Sequence, residues 1–353
     1  MAGVTDIVFR SVIRSIDPGC MLATEMVSSR ALMHKPETRI MDLSDSERPI
    51  GIQIFGHEPE VMARAALMAE AKGADFVDIN MGCPVPKITK GKDGCALMRE
   101  PELAKEIVQS VKSAINIPLT VKFRLGWDDS SRNAAAFGSM LEECGVSAVT
   151  VHGRTRQQFY AGKADWEAIR QVKQALSIPV FGNGDVFEPE DALRLLSQTG
   201  CNGVAVARGT LGNPWLIRRI NHYLETGILL DEPTVSERLK VAYRHAQGLA
   251  SYKGARVGIN ESRRHLTHYT KGIVGAAPFR ARLTQIQDLA ELRSILYELI
   301  LMAEGAQAAS EFLFEIEQIY FKESEDPTER DRNSANYFKA PVDLLPLLPI
   351  EVV

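Results

Sequence analysis

Between residues 20 and 225 short runs of apolar, β-branched residues alternate with longer amphipathic stretches. The strand candidates are residues 21–25, 50–55, 76–80, 119–124, 148–152, 180–182 and 204–207. Helical periodicity occupies 58–71, 101–115, 132–144, 165–176 and 188–198. Such alternation predicts parallel strands joined by crossover helices. Pro118 and Pro179 each open a strand, where a missing N–H disturbs the ladder least. Polar residues gather at the strand C-terminal ends or just beyond: Asn80, Lys122, His152, Asn183 and Arg208. In an eight-stranded barrel those ends form the active-site face. A doubly wound sheet fits less well, because the chain has no GxGxxG turn. The expected fold class is therefore α/β, a TIM (β/α)8 barrel.

One barrel strand has no candidate. Met1-Ala2-Gly3-Val4-Thr5-Asp6 reads as a loop entering a helix, with Thr5 or Asp6 as N-cap, and nothing precedes it that could be the first strand. This predicts a chain that starts late, with an open seam and unpaired strand edges. Beyond about residue 228 the periodicity is helical only, at 235–253, 258–271, 276–287 and 289–303, which predicts a small all-α bundle. The expected division is 1–228 for the barrel, 229–321 for the helical domain and 322–353 for a poorly packed tail rich in Pro, Asp, Glu, Arg and Asn.

Composition narrows the class without naming a chemistry. The chain has 353 residues, 45% hydrophobic and 24% charged, with a formal net charge of −4. Those are the proportions of an ordinary globular protein with ample core. No run approaches a membrane span and the N-terminus lacks a signal-peptide pattern, so a cytoplasmic protein without membrane association is expected. Five cysteines without CxxC or CxxH spacing argue against a disulfide scaffold or a structural zinc site. Charge distribution says more than the total: from Glu237 to Arg293 eleven Lys and Arg face four acidic residues. That excess is either a solvated helical face or a surface that tracks phosphates.

Three groups of residues could carry chemistry. Cys83 lies in Asp78-Ile79-Asn80-Met81-Gly82-Cys83-Pro84, where a strand opens into a loop, and could act as nucleophile, general acid or metal ligand. Cys95 is a rival, read as a small packing residue. Gly182-Asn183-Gly184-Asp185 and Ala207-Arg208-Gly209-Thr210 end the last two strands, where small residues let backbone N–H groups approach a phosphate. Gln53, Lys122 and His152 end neighbouring strands and suit the polar edge of a flavin ring. Lys87, Lys90, Lys92, Arg124, Arg154 and Arg156 surround the expected mouth.

These motifs, in this order, resemble the tRNA-dihydrouridine synthase family, closely its bacterial branch. The resemblance rests on Met1 to Asp6, on the Asp78–Pro84 motif and on Val121-Lys122-Phe123-Arg124-Leu125-Gly126. It continues through Val151-His152-Gly153-Arg154-Thr155-Arg156, Gly182 to Asp185, and Arg208-Gly209 with Asn213-Pro214-Trp215. It implies an FMN-binding barrel followed by a helical tRNA-binding domain, with NADPH or NADH as reductant and no obligate protein partner. Met1, Ala2, Gln53, Lys122, His152, Asn183, Gly184, Asp185, Ala207 and Arg208 would contact FMN. Asn80, Lys87, Arg124 and Arg154 would hold the target uridine. Hydride would pass from reduced FMN to carbon 6 of uracil, and Cys83 would protonate carbon 5. The chain departs from the family pattern in lacking the opening strand and in carrying Ala207 where glycine is common. Two other readings compete: a small-molecule flavin oxidoreductase of the dihydroorotate dehydrogenase type, and a flavin-less RNA-binding relative.

Overall fold

The computed structural model describes residues 1–323 and 350–352. Its nine strands are β1 (Met21–Ala23), β2 (Val27–Ser28), β3 (Ile50–Phe55), β4 (Phe76–Met81), β5 (Leu119–Arg124), β6 (Ala148–His152), β7 (Val180–Asn183), β8 (Gly203–Val206) and β9 (Ile350–Val352). All pairings between them are parallel. β3 to β8 pair in chain order, and β1 and β2 line successive halves of β3; the expected strand at 21–25 is the shorter β1, and β2 follows beyond it.

The seam is filled, contrary to the expectation of unpaired edges. β9 lies between β8 and β1, with Ala205 opposite Glu351 on one side and Met21 opposite Glu351 on the other. A parallel strand can come from anywhere in the chain, because its connection runs outside the ladder. Of the expected tail, residues 322–323 finish the last helix and 350–352 form β9; the remainder lies outside the described residues.

Alternation along the strands sorts chemistry from packing. Val77, Ile79, Val121, Phe123, Val149 and Val151 join a core with helix residues such as Ala66, Ile107, Val108 and Leu141. The intervening positions, Asp78, Asn80, Lys122, Arg124 and His152, therefore project to the barrel interior, since side chains alternate faces along a strand. The strongly apolar outer face makes the barrel, and leaves the inner face free to be polar near its C-terminal end.

The N-terminal turn is anchored to this frame. Asp6 caps the helix Ile7–Ile16 by accepting from Phe9 N at 3.0 Å. Arg10 on that helix is buried against Glu47 at 2.9 Å and donates to the Thr5 carbonyl at 2.9 Å. Helices Val235–Lys253, Ala255–Tyr269, Ala277–Leu283, Leu289–Glu304 and Ala306–Glu323 form the second unit. Leu239, Tyr243, Leu266, Leu296 and Phe312 lie in its separate core. It docks on the Ile7–Ile16 helix: Lys253 pairs with Asp6 at 2.6 Å, and Phe9 packs 5.8 Å from the His245 ring. Among the described residues no helix is long and apolar enough to cross a membrane.

Candidate active site

Strand register brings the candidate side chains together. Asn80 lies opposite Lys122, Arg124 opposite His152, and His152 opposite Asn183. They line a cavity of about 560 Å³ at the C-terminal end of the barrel. Met1, Ala2, Gln53, Cys83, Lys87, Gly184, Asp185, Ala207 and Arg208 complete the predicted set around it. Arg154 is the exception.

A buried hydrogen-bond chain runs under the thiol. Asp78 accepts from Thr120 Oγ1 at 2.7 Å and from Gln53 Nε2 at 2.8 Å. Gln53 Oε1 accepts from Asn80 Nδ2 at 2.9 Å. Asn80 Oδ1 then accepts from the backbone N–H of Gly82 at 3.1 Å and of Cys83 at 2.9 Å. The amide of Asn80 is thus first a brace for the Cys83 turn. Burial raises the Asp78 carboxyl, opposed by its hydrogen bonds with Thr120 and Gln53 and by the Lys122 charge. Sequence reasoning assigned Asp78 no role, because its partners lie on strands 25 and 42 residues away.

The return leg of the same loop fixes the thiol from the other side. Cys95 N donates to the Cys83 carbonyl at 3.1 Å. Gly94 has φ +59°, and a β-carbon there would sit 2.9 Å from the Cys83 carbonyl oxygen, so only glycine fits without displacement. His57 and Asp93 join β3's end to this loop at 2.7 Å. Burial pushes the Cys83 thiol above its ordinary value, with a hydrogen bond from the Val85 backbone and the charges of Arg124 and Lys122 pulling the other way. The group keeps its proton at neutral pH. Cys95 is fully buried, as its reading as a packing residue requires.

His152 is held as a neutral donor–acceptor. Asn183 Nδ2 donates to the Ala205 carbonyl at 2.7 Å, which turns Asn183 Oδ1 toward His152 Nδ1 at 2.7 Å and Lys122 Nζ at 3.1 Å. The shared acceptor places the imidazole proton on Nδ1. His152 Nε2 is then a buried lone pair with no partner in the protein. Burial, then the charges of Lys122 and Arg124, drives its pKa well below the ordinary 6.5. A buried polar atom without a partner is the kind that a ligand satisfies.

Two arginines have narrower roles than sequence implied. Arg154 does not line the cavity: it is 1% exposed, pairs with Asp185 at 2.7 Å and donates to the carbonyls of Ala161 and Gly162. Expected from sequence as a uridine contact, it lies behind the Gly184–Asp185 loop rather than among the residues lining the cavity. Arg124 donates from Nε to the Gly82 carbonyl at 2.7 Å and from Nη1 to those of Thr155 and Phe159 at 3.0 and 2.8 Å. Asp185 is shared by two cations, Arg154 at 2.7 Å and Arg208 more loosely at 3.5 Å. Arg208 sits over the ring of Tyr160 at 4.7 Å, a half-exposed cavity residue that the sequence alone did not single out.

The basic helical segment is less open than its composition suggests. Lys240, Lys253, Arg282 and Arg293 pair with Glu315, Asp6, Glu298 and Glu317. Arg238, Arg263 and Arg280 donate to the backbone carbonyls of Tyr269, Ile286 and Thr270. Arg264 remains close to the cavity lip, where a β-carbon at Gly3 would lie 3.5 Å from its guanidinium. Counting charges along a sequence overstates the free ones, because acids from later helices pack against them.

Sequence similarity to known proteins assigns the family. The chain is 46% identical over 305 residues to the probable tRNA-dihydrouridine synthase 1 of Synechocystis, covering 86% of each chain. It is 39% identical to the probable tRNA-dihydrouridine synthase of Rickettsia conorii, over 82% of this chain and 88% of that one. It is also 39% identical to tRNA-dihydrouridine synthase B of Pseudomonas aeruginosa, over 82% and 87% respectively. The sequence profile of dihydrouridine synthases matches residues 1–306, so this chain belongs to the dihydrouridine synthase family.

Proposed function

We propose that this protein is a tRNA-dihydrouridine synthase that reduces the 5,6 double bond of uridines in tRNA, using FMN and NADPH or NADH. The observation that carries the reading is the pairing, in one cavity, of a braced and protonated thiol at Cys83 with an unpartnered imidazole acceptor at His152. The cavity suits a flavin: it is polar on the strand-end side, its size fits a ring system, and the loop at Gly184 (φ +124°) brings backbone close to it. Met1, Ala2, Gln53, Lys122, His152, Asn183, Gly184, Asp185, Ala207 and Arg208 would hold FMN. When bound and reduced, the flavin supplies hydride chemistry that no side chain has.

The protein's own contribution is positioning, charge and a proton. Lys122 brings a positive charge to the inner wall, and His152 Nε2 an acceptor. Arg208, held less tightly by Asp185 than Arg154 is, offers a cation for a phosphate. Cys83 holds a proton on Sγ for carbon 5 of the base, and a positioned general acid contributes roughly 10²–10⁴-fold. Arg124 Nη2, the nitrogen its carbonyl contacts do not engage, would bind the uracil carbonyl where negative charge gathers. Asn80 and Lys87 complete the base site. The uridine has to leave its stack to reach this cavity, at a cost of a few kcal/mol, which tRNA binding by the barrel rim and helical domain would offset.

The test uses purified flavin-loaded protein, an unmodified tRNA transcript and NADPH. Dihydrouridine should form in tRNA and not from free uridine. Cys83→Ala should retain FMN and its reduction by NADPH, and lose dihydrouridine formation. Turnover of free pyrimidines without tRNA, or wild-type turnover by the alanine variant, would overturn the reading.

A further inference from the structure

Beyond the cavity, arginines and aromatic rings alternate along the rim of the barrel's C-terminal face. Within the cavity Arg124 and Arg208 both lie over Tyr160, at 5.5 and 4.7 Å from its centre. The preceding residue, Phe159, starts an outer set: Arg156 lies 5.3 Å from its ring and 4.6 Å from that of Trp127, and Arg99 lies 4.9 Å from the same indole. The outer set has no part in the chemistry described above.

Its cations are held without being neutralised. Among the described residues neither Arg99 nor Arg156 makes an ion pair with an acidic side chain. Of the nearby acids, Asp129 pairs with Arg132 at 2.7 Å, while Asp128 accepts from Ser130 and Ser131, turns to those hydroxyls and keeps its charge. Arg156 Nε is buried with no hydrogen-bond partner. The two loops are laced together, Arg156 N donating to the Gly126 carbonyl and Gln157 N to the Trp127 carbonyl, each at 2.9 Å. A cleft of about 580 Å³ lined by Arg99, Trp127, Asp128, Arg132 and Asn133 opens beside them. Aromatic contact fixes a guanidinium plane yet leaves its charge for a ligand.

We propose that Arg99, Trp127 and Arg156 bind the RNA strand flanking the reacting uridine, with the guanidiniums on its phosphates and the rings beside its unstacked bases. This rests on the reading of the substrate as tRNA. Extruding one nucleotide opens the adjoining backbone, and unpaired strands are gripped by cationic grooves with interleaved aromatic faces. The ridge begins at the cavity mouth, through the Phe159–Tyr160 junction, and leads away from it along the same face.

The test is steady-state kinetics of flavin-loaded Arg99→Ala, Arg156→Ala and the double variant, with an unmodified tRNA transcript over a series of salt concentrations. Each single change should raise the KM for tRNA roughly three- to tenfold at unchanged kcat, and lower the slope of log KM against log salt by about 0.7 per lost phosphate contact. The rate of flavin reduction by NADPH should not change. Unchanged KM and salt slope in the double variant would overturn the proposal, as would a loss of kcat at unchanged KM. Should Arg156→Ala lose its flavin, the exposed position decides: a wild-type KM in Arg99→Glu would overturn it equally. A wild-type protein that binds no tRNA would instead overturn the substrate reading.

Discussion

Asn80→Ala separates bracing the thiol from holding the base. The substitution leaves the N–H groups of Gly82 and Cys83, now 3.1 and 2.9 Å from Asn80 Oδ1, without their acceptor, and Gln53 Oε1 without its donor. A buried polar group left unpaired costs about 1–3 kcal/mol. Gly82 is buried, but Cys83 is partly exposed, so water can replace part of the loss at that end. We expect about 2–4 kcal/mol of local destabilisation on that scale. The Cys83 turn would then sample positions away from its present one, and misplacement by about 1 Å can cost roughly 10²-fold in rate. The assay has two arms. Single-turnover dihydrouridine formation should fall by about 10²-fold on that account, while flavin reduction by NADPH stays normal. Alkylation of Cys83 by iodoacetamide should change its rate, since the thiol's surroundings loosen. If kcat and alkylation stay at wild-type values and only the KM for tRNA rises, Asn80 contacts the base alone and the bracing argument fails.

Three further outcomes follow from the same geometry. Because burial raises the Cys83 pKa above its ordinary 9.0 and the acid works in its protonated form, the chemical step should be flat through neutral pH and decline only above that value; a decline between pH 6 and 8 (roughly the histidine range) would point to another proton donor. Arg154→Met should weaken FMN retention, measured by flavin fluorescence on dilution, because Asp185 would then draw Arg208 to itself from 3.5 Å. Breaking a buried pair costs about 3–5 kcal/mol, less here because Asp185 is partly exposed; unchanged retention would refute the brace. Glu351→Pro removes a backbone donor from a strand paired on both sides, and should lower the unfolding temperature of the barrel. An unaltered melting curve would mean that β9 does not stabilise the seam.

Local pattern alone determined a good deal of this protein. The alternation in Leu119–Arg124 already separated Leu119, Val121 and Phe123, which the helices cover, from Lys122 and Arg124, which face the cavity. Strand ends and glycine turns pointed to Gln53, Asn80, Lys122, His152, Asn183 and Arg208, all of which line one cavity, because strand direction and side-chain parity are properties of a few consecutive residues; Met1 and Ala2 came from the family resemblance alone. Tertiary structure decided what those residues do to one another. Asp78 became the base of a relay only when β3 and β5 flanked β4; Arg154 turned away because Asp185 was within 2.7 Å; β9 reached the seam from the far end of the chain. The charge of the helical segment was likewise redistributed, since Glu298, Glu315 and Glu317 meet helical cations that look free in sequence. Hydrogen bonds and ion pairs depend on distances between segments far apart in the chain, and those distances are fixed by packing rather than by any local run of residues.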